Sequence, residues 1–212
     1  GSGGSIYITC RWLNGVWGTI SAAGANSLGE GGGGAGGRFA VWRSHHNFLG
    51  NASSAAGGSP FDTWKYWADP GTLIWGELPD PAVSPVNGFG RGFDVQTLAI
   101  AGSDTNLDLR LWDAGESATN MQWALSTADA WIMLTASNGV VDRGTNTVIT
   151  ITNSAASLPA GVYTGHVSLV ATNPTMDGVP AEQRTLTIVM TVTNVLPPVV
   201  ASITSTDADG NY

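Results

Sequence analysis

The chain has 212 residues, of which 42% are hydrophobic and only 11% charged, and its formal net charge is −8. Seven arginines and a single lysine, Lys65, form no basic patch that would neutralise phosphates, so nucleic acid and anionic membrane surfaces are excluded as expected partners. No stretch approaches the about 20 apolar residues that a membrane-spanning helix needs, and we expect no membrane insertion. Nine tryptophans argue for packed cores rather than disorder.

Glycine is distributed unevenly along the chain. Of the 29 glycines, 21 lie in the first 94 residues, and Gly29–Gly37 reads GEGGGGAGG. Short runs rich in Ile, Val, Phe, Thr and Trp separate the glycine clusters, and their length and composition predict β-strands. These runs are Ser5–Thr9, Trp17–Ala22, Arg38–Trp42 and Thr72–Trp75. Short strands joined by glycine-rich turns predict a β-solenoid over residues 1–78, with a small β-sandwich as the alternative.

The pattern changes after residue 78. Residues 79–93 contain three prolines followed by three glycines, which predicts a linker between domains. From Asp94 the runs are longer and alternate strictly; seven such runs predict an immunoglobulin-like sandwich over residues 94–195. Residues 196–212 are predicted to be a tail or the start of a following domain. The predicted fold class is therefore all-β, a short glycine-rich solenoid followed by a sandwich.

The first part resembles a known kind of repeat. The order GSGGSIYI, GTISAAG, GGGGAGGRFAVW and PGTLIW is similar to the glycine-rich repeat segments of very large bacterial surface proteins, over about residues 1–76. This resemblance implies parallel β-helix rungs. The long aromatic stretch Ser44–Asp69, and Pro70 in place of a small residue, depart from the pattern and favour a terminal, capping set of rungs.

The second part resembles another family. The motifs W-x-L-S at Trp123–Ser126, V-x-x-I-T-N at Val148–Asn153 and L-x-x-G-x-Y-x-G-x-V at Leu158–Val167 occur in the order seen in BACON-like bacterial immunoglobulin-like domains, over about residues 95–195. The resemblance implies a spacer or binding module of a secreted carbohydrate-active or surface protein. The tail from Val199 resembles the opening of a further bacterial immunoglobulin-like repeat.

Exposed aromatic rings are candidates for carbohydrate binding, because their flat faces stack on sugar rings. The densest group comprises Phe61, Trp64, Tyr66 and Trp67. The favoured interpretation is that these rings cover the open end of the solenoid or pack against the second domain.

Two segments contain residue types that bind metal ions. Asp207 and Asp209 lie in a D-x-D-G-N stretch that is similar to the first half of a calcium loop, without the glutamate that completes such a loop. A β-turn is the favoured interpretation there, with Ca²⁺ as the alternative and no other cofactor expected. The pair His45–His46 is predicted to lie in a turn or cap at the solenoid edge, with a metal site as the alternative.

No catalytic motif is present in the sequence: a nucleophile elbow, P-loop, dinucleotide fingerprint and HExxH are all missing. The predicted function is therefore non-enzymatic, a structural or adhesive part of a large extracellular bacterial surface protein or filament. Its expected partners are copies of itself or neighbouring domains of the same protein. Contact is expected through sheet edges and through Val199, Val200 and Ile203 of the tail, which can add as a strand. The alternative function is a carbohydrate-binding module whose partners are glycans.

Overall fold

The computed structural model describes residues 1–27, 32–52, 68–173 and 180–194. Every regular element in these ranges is a β-strand, which confirms the all-β class, and no helix there has the length and apolarity to cross a membrane. The strands are β1 (Ser5–Gly15), β2 (Thr19–Ile20), β3 (Arg38–Phe48), β4 (Asn51–Ala52), β5 (Thr72–Glu77), β6 (Pro81–Pro85), β7 (Phe89–Arg91), β8 (Asp94–Ile100), β9 (Asp104–Asp113), β10 (Met121–Thr127), β11 (Ile132–Leu134), β12 (Asn138–Val141), β13 (Asn146–Ser154), β14 (Gly161–Thr172) and β15 (Glu182–Thr193).

The first part of the chain forms two small parallel sheets. Strands lie in the order β1-β3-β5, and Ser5 pairs with Arg38, which pairs in turn with Thr72. Strands β2 and β4 form a second parallel pair. Successive passes of the chain therefore repeat one path, a strand followed by a shorter strand, and we call each pass a coil. A β-solenoid as such is not shown, because the described strands form two separate open sheets.

Close backbone packing explains the glycine just before β3. A Cβ atom on Gly37 would lie 2.0 Å from the carbonyl oxygen of Gly4 and 2.8 Å from that of Ala22. The Arg38 amide donates a hydrogen bond to the same Gly4 oxygen at 3.0 Å. The coils therefore touch main chain to main chain at this point, and only glycine fits there.

The apolar interior of the coils is fully buried at β3 but only partly covered at β1. Phe39 and Val41 of β3 are fully buried, whereas Ile6 and Ile8 of β1 are only partly covered. Trp75 of β5 packs against the same cluster, 6.1 Å from the ring centroid of Phe39.

The second part is a sandwich of two sheets, with strand orders β12-β10-β14-β15-β8-β7 and β11-β13-β9-β6. Neighbouring strands pair antiparallel, except for the parallel pair of β8 and β15. The predicted immunoglobulin-like all-β fold is confirmed. Alternation along β15 buries the apolar residues of one face, which are Leu186, Ile188, Met190 and Val192. Of the tryptophans in the sandwich, Trp123 is buried, Trp131 packs at the margin of the core and Trp112 is half-buried.

The predicted linker at residues 79–93 needs correction. It contains β6, which pairs with β9, and β7, which pairs with β8. Proline at both ends of β6 made this segment resemble a linker, but an edge strand has one side on which no amide donor is needed. Gly88 and Gly92, both with positive φ, lie in the turns on either side of β7, and Gly90 within β7 also has a positive φ.

Candidate functional site

The best-defined polar cluster lies where the coils meet the sandwich. Only Leu78, Pro79 and Asp80 separate β5 from β6, and all three are buried. The Leu78 amide donates to the Arg43 carbonyl of β3 at 2.8 Å, which continues the β3–β5 ladder by one hydrogen bond before the chain enters the sandwich. This short connection brings the Asp80 side chain between the two parts of the molecule.

Asp80 is contacted by cationic or imidazole side chains from three strands. Its side chain is 1% exposed. Oδ2 accepts hydrogen bonds from Arg11 of β1 at 2.9 Å and 3.1 Å and lies 2.9 Å from Nε2 of His45 of β3. Oδ1 accepts from Arg184 of β15 at 3.3 Å. We call Arg11, His45, Asp80 and Arg184 the junction; it joins β1 and β3 of the coils to the sandwich.

The hydrogen bonds determine the charge of Asp80. Burial alone would raise its pKa, but hydrogen bonds from His45, Arg11 and Arg184, with the charge of Arg11, outweigh burial and hold the pKa below the ordinary aspartate value. Asp80 is therefore ionised at neutral pH. A carboxylate that already accepts from several donors is a poor proton acceptor, which suits an anchor better than a general base.

Asp113 and Trp12 hold the Asp80 and His45 of the junction in place. Oδ1 of Asp113 accepts the backbone amides of Asp80 and Gly115, each at 2.8 Å. The indole of Trp12 stacks on the His45 ring with a centroid distance of 4.1 Å and an interplanar angle of 13°. The imidazole is thus held between an aromatic plane and a carboxylate.

A loop of the sandwich covers the part of β3 that extends beyond β5. The Glu116 amide donates to the Ser44 carbonyl at 2.9 Å, and its carboxylate oxygens lie 3.4 Å from the His46 amide. The Ala118 amide donates to Oε2 of Glu77 at 2.8 Å. Main-chain and side-chain atoms of this loop therefore take the place of a longer β5.

Arg43 lies beneath the same contact. Its guanidinium lies 4.8 Å from the Trp75 ring centroid and donates to the Gly76 carbonyl at 2.7 Å. Burial lowers the pKa of Arg43, and the charges of Glu77, Glu116 and Cys10 oppose this shift. For Cys10, burial raises the pKa of the thiol while the Arg43 charge opposes the rise. Cys10 is a half-buried free thiol.

Of the predicted site residues, His45 and His46 lie in the described part of the chain. His45 and His46 lie within β3, not in a turn or cap, and their side chains diverge: His45 contacts Asp80 while His46 lies 3.9 Å from Glu116. Among the described residues no group of His, Cys, Asp and Glu is arranged to hold a metal ion. The remaining candidates lie outside the described residues: Phe61, Trp64, Tyr66, Trp67, Asp207, Asp209, Val199, Val200 and Ile203.

No motif in the sequence indicates Asp80, Arg11 or Arg184 as members of a site. Asp80 is separated by 69 residues from Arg11, 35 from His45 and 104 from Arg184, so no local spacing indicates the cluster. The one sequence feature that bears on the cluster is the low number of charged residues. A chain with few ionic groups offers few partners for a buried carboxylate.

Comparisons with known proteins add only distant likenesses. No protein-family model and no curated protein sequence matches this chain. Among solved structures, PapD-like domain 7 of human CEP192 is 12% identical, with a TM-score of 0.43 over 54% of this chain and 87% of its own. A family 123 glycoside hydrolase from Clostridium perfringens is 10% identical, with a TM-score of 0.41 over 56% of this chain and 28% of its own.

A third similar structure is the E. coli chaperone DraB. It is 9% identical, with a TM-score of 0.39 over 56% of this chain and 58% of its own. Likenesses at this level carry no argument about function. The immunoglobulin-like architecture rests on the strand pairing described above, and the resemblances to glycine-rich repeats and BACON-like domains stay predictions.

Proposed function

We propose that this chain is a non-enzymatic structural part of a large extracellular bacterial surface protein or filament. The observation that carries the proposal is the repeated parallel register: β3 follows β1 and β5 follows β3 with the same face turned inward. Parallel strands stacked in this way form the kind of array that grows by adding coils. The two described coils are, in this proposal, part of a short solenoid joined to an immunoglobulin-like module.

The junction supports a structural role. Its ionised Asp80 is buried and accepts hydrogen bonds from Arg11 and Arg184, and the Glu116 loop occupies the rest of the β3 edge. Such contacts fix the orientation of the coils on the sandwich. They leave no unpaired acid or base at Asp80 that would serve catalysis.

Self-association tests this proposal. Mass photometry of the whole chain across concentrations, with negative-stain microscopy of the same samples, should show species larger than a monomer. Removal of residues 199–212 should weaken that association if the tail adds as a strand to a neighbour. A strictly monodisperse monomer would contradict assembly between copies.

A carbohydrate-binding role is a second candidate, because two tryptophans of the first coil are exposed. Trp17 is 93% exposed and Trp12 57% exposed, and exposed indole faces stack on sugar rings. A glycan array with the wild type and the Trp17→Ala variant tests this role. Binding that is lost in the variant would support it, and the absence of any bound glycan would count against it.

A further inference from the structure

Strand β1 is the longest edge strand in the described part of the chain. It spans 11 residues and pairs only with β3 among the described strands. The edge strands of the sandwich are blunted: β7 and β11 have three residues each, β12 has four, and β6 carries proline at both ends. Short strands and prolines are devices that prevent pairing at an edge, and β1 has neither.

Among the described strands, none pairs with the backbone groups that β1 directs away from β3. Because the Gly4 carbonyl bonds to Arg38 of the neighbouring segment, alternate residues from Gly4 to Ile8 direct their backbone groups toward β3. Ser5, Tyr7 and Thr9 therefore direct their amide and carbonyl groups to the free edge. This edge has the geometry needed to pair with another strand.

The apolar interior is also incomplete on this side. Ile6, Ile8, Leu13 and Ile20 of the first coil are only partly buried, whereas Phe39 and Val41 of the second coil are fully buried. A neighbour that pairs with β1 would cover this open end. Burial of this apolar surface favours the pairing, and the entropy of association opposes it.

Charge indicates which neighbour fits. The chain carries 16 acidic residues, but residues 1–27 contain a single charged side chain, Arg11. Arg11 is already paired with the buried Asp80. The first coil is thus the uncharged face of an acidic protein, and two such faces meet without the repulsion that the remaining surface would cause.

We propose that the free edge of β1 is an interface for a second copy of this chain. Identical strands that pair through the same edge are related by a two-fold axis and run antiparallel. The contact joins β1 of one copy to β1 of its partner and covers the half-open interior of both. This inference rests on the structural role proposed above and names one of its contacts.

Substitutions at Thr9 test the edge without breaking the coil. Thr9→Pro removes an amide that faces the free edge, and Thr9→Lys places like charges near one another across the two-fold axis. Thr164→Lys is the matched control, since Thr164 is likewise exposed but belongs to the sandwich, where it pairs with Val189 of β15. Circular dichroism establishes that each variant is folded, and the lysine variant keeps the test valid if the proline variant unfolds.

Sedimentation velocity and hydrogen exchange of the full chain provide the readouts. We expect Thr9→Lys to weaken association by about tenfold or more, with Thr164→Lys unchanged. The Tyr7 and Thr9 amides of the wild type should gain protection as concentration rises. Association that is equal in all variants would overturn the β1 interface while leaving self-assembly intact. A wild type that stays monomeric would overturn both this inference and the proposed assembly between copies.

Discussion

The carboxylate of Asp80 is the residue-level contact that joins the two parts of the molecule. It is buried and accepts hydrogen bonds from Arg11 on one side and Arg184 on the other, with His45 at 2.9 Å. Buried ion pairs contribute little net stability when compared with apolar replacements, but removing one partner leaves the others uncompensated. Asp80 is therefore more important for holding the parts together than for the total free energy of folding.

Replacement of this carboxylate should be costly. We expect Asp80→Asn to lower the free energy of unfolding by about 3 kcal/mol, the lower end for a broken buried pair, because Arg11 and Arg184 can reach solvent. Urea denaturation at neutral pH measures the change. Asp94→Asn, at an exposed position, serves as the control and should change stability by no more than about 0.5 kcal/mol. Equal effects of the two substitutions would contradict the role assigned to Asp80.

At the scale of elements, most strands could be predicted from the sequence. The runs beginning at Ser5, Arg38 and Thr72 became β1, β3 and β5, because β-branched and aromatic residues in alternation fit a half-buried sheet. The sequence does not predict β6, because the segment has a proline at each end. Proline is compatible with an edge strand, but an edge position can be recognised only when the neighbouring strand is known. Strand pairing over long sequence distances, which decides such cases, leaves no local signal.

The same limit applies to the junction. His45 was noticed as one of two adjacent histidines, but its partner Asp80 lies 35 residues away in a proline-rich segment. Alternation along a strand correctly indicates that neighbouring histidines diverge. It gives no information on what each side chain meets across the fold.

The stacking of coils depends on glycine where main chains touch. In Gly37→Ala the added methyl group would lie 2.0 Å from the Gly4 carbonyl oxygen, which already accepts the Arg38 amide. We expect a loss of about 3 kcal/mol and faster hydrogen exchange along β1 and β3, with β14 of the sandwich still protected. Gly4→Ala is the control, since a Cβ atom there meets nothing within 4 Å. Unchanged exchange in β1 of the Gly37 variant would refute this packing.

At the scale of the whole molecule, the junction makes the free energy of unfolding depend on pH in the acidic range. The pKa of Asp80 is lower in the folded state than the ordinary value of about 3.9 expected in the unfolded chain. Its contribution is therefore complete above about pH 4 and is lost as the pH falls through the folded-state value. The titratable or charged groups around Asp80 are Arg11, His45 and Arg184, with Glu182 beside Arg184 at 3.6 Å and the Asp113 carboxylate bonded to the Asp80 amide at 2.8 Å.

A comparison with Asp80→Asn isolates this contribution from the other acidic residues. The difference in free energy of unfolding between the wild type and the variant should be largest near neutral pH and should shrink below about pH 4. Urea titrations from pH 7 to pH 3 measure it. A difference that grows on acidification would have the opposite sign to that required by a lowered pKa.

Differential scanning calorimetry of the wild type and Asp80→Leu most directly tests the claim that coils and sandwich form one structural unit. Leucine removes the charge to which Arg11 and Arg184 are bound and leaves no hydrogen-bond acceptor in its place. The account predicts one cooperative transition for the wild type, and for the variant an earlier, separate transition of the coils followed by that of the sandwich. Two independent transitions in the wild type, unchanged by the substitution, would contradict it.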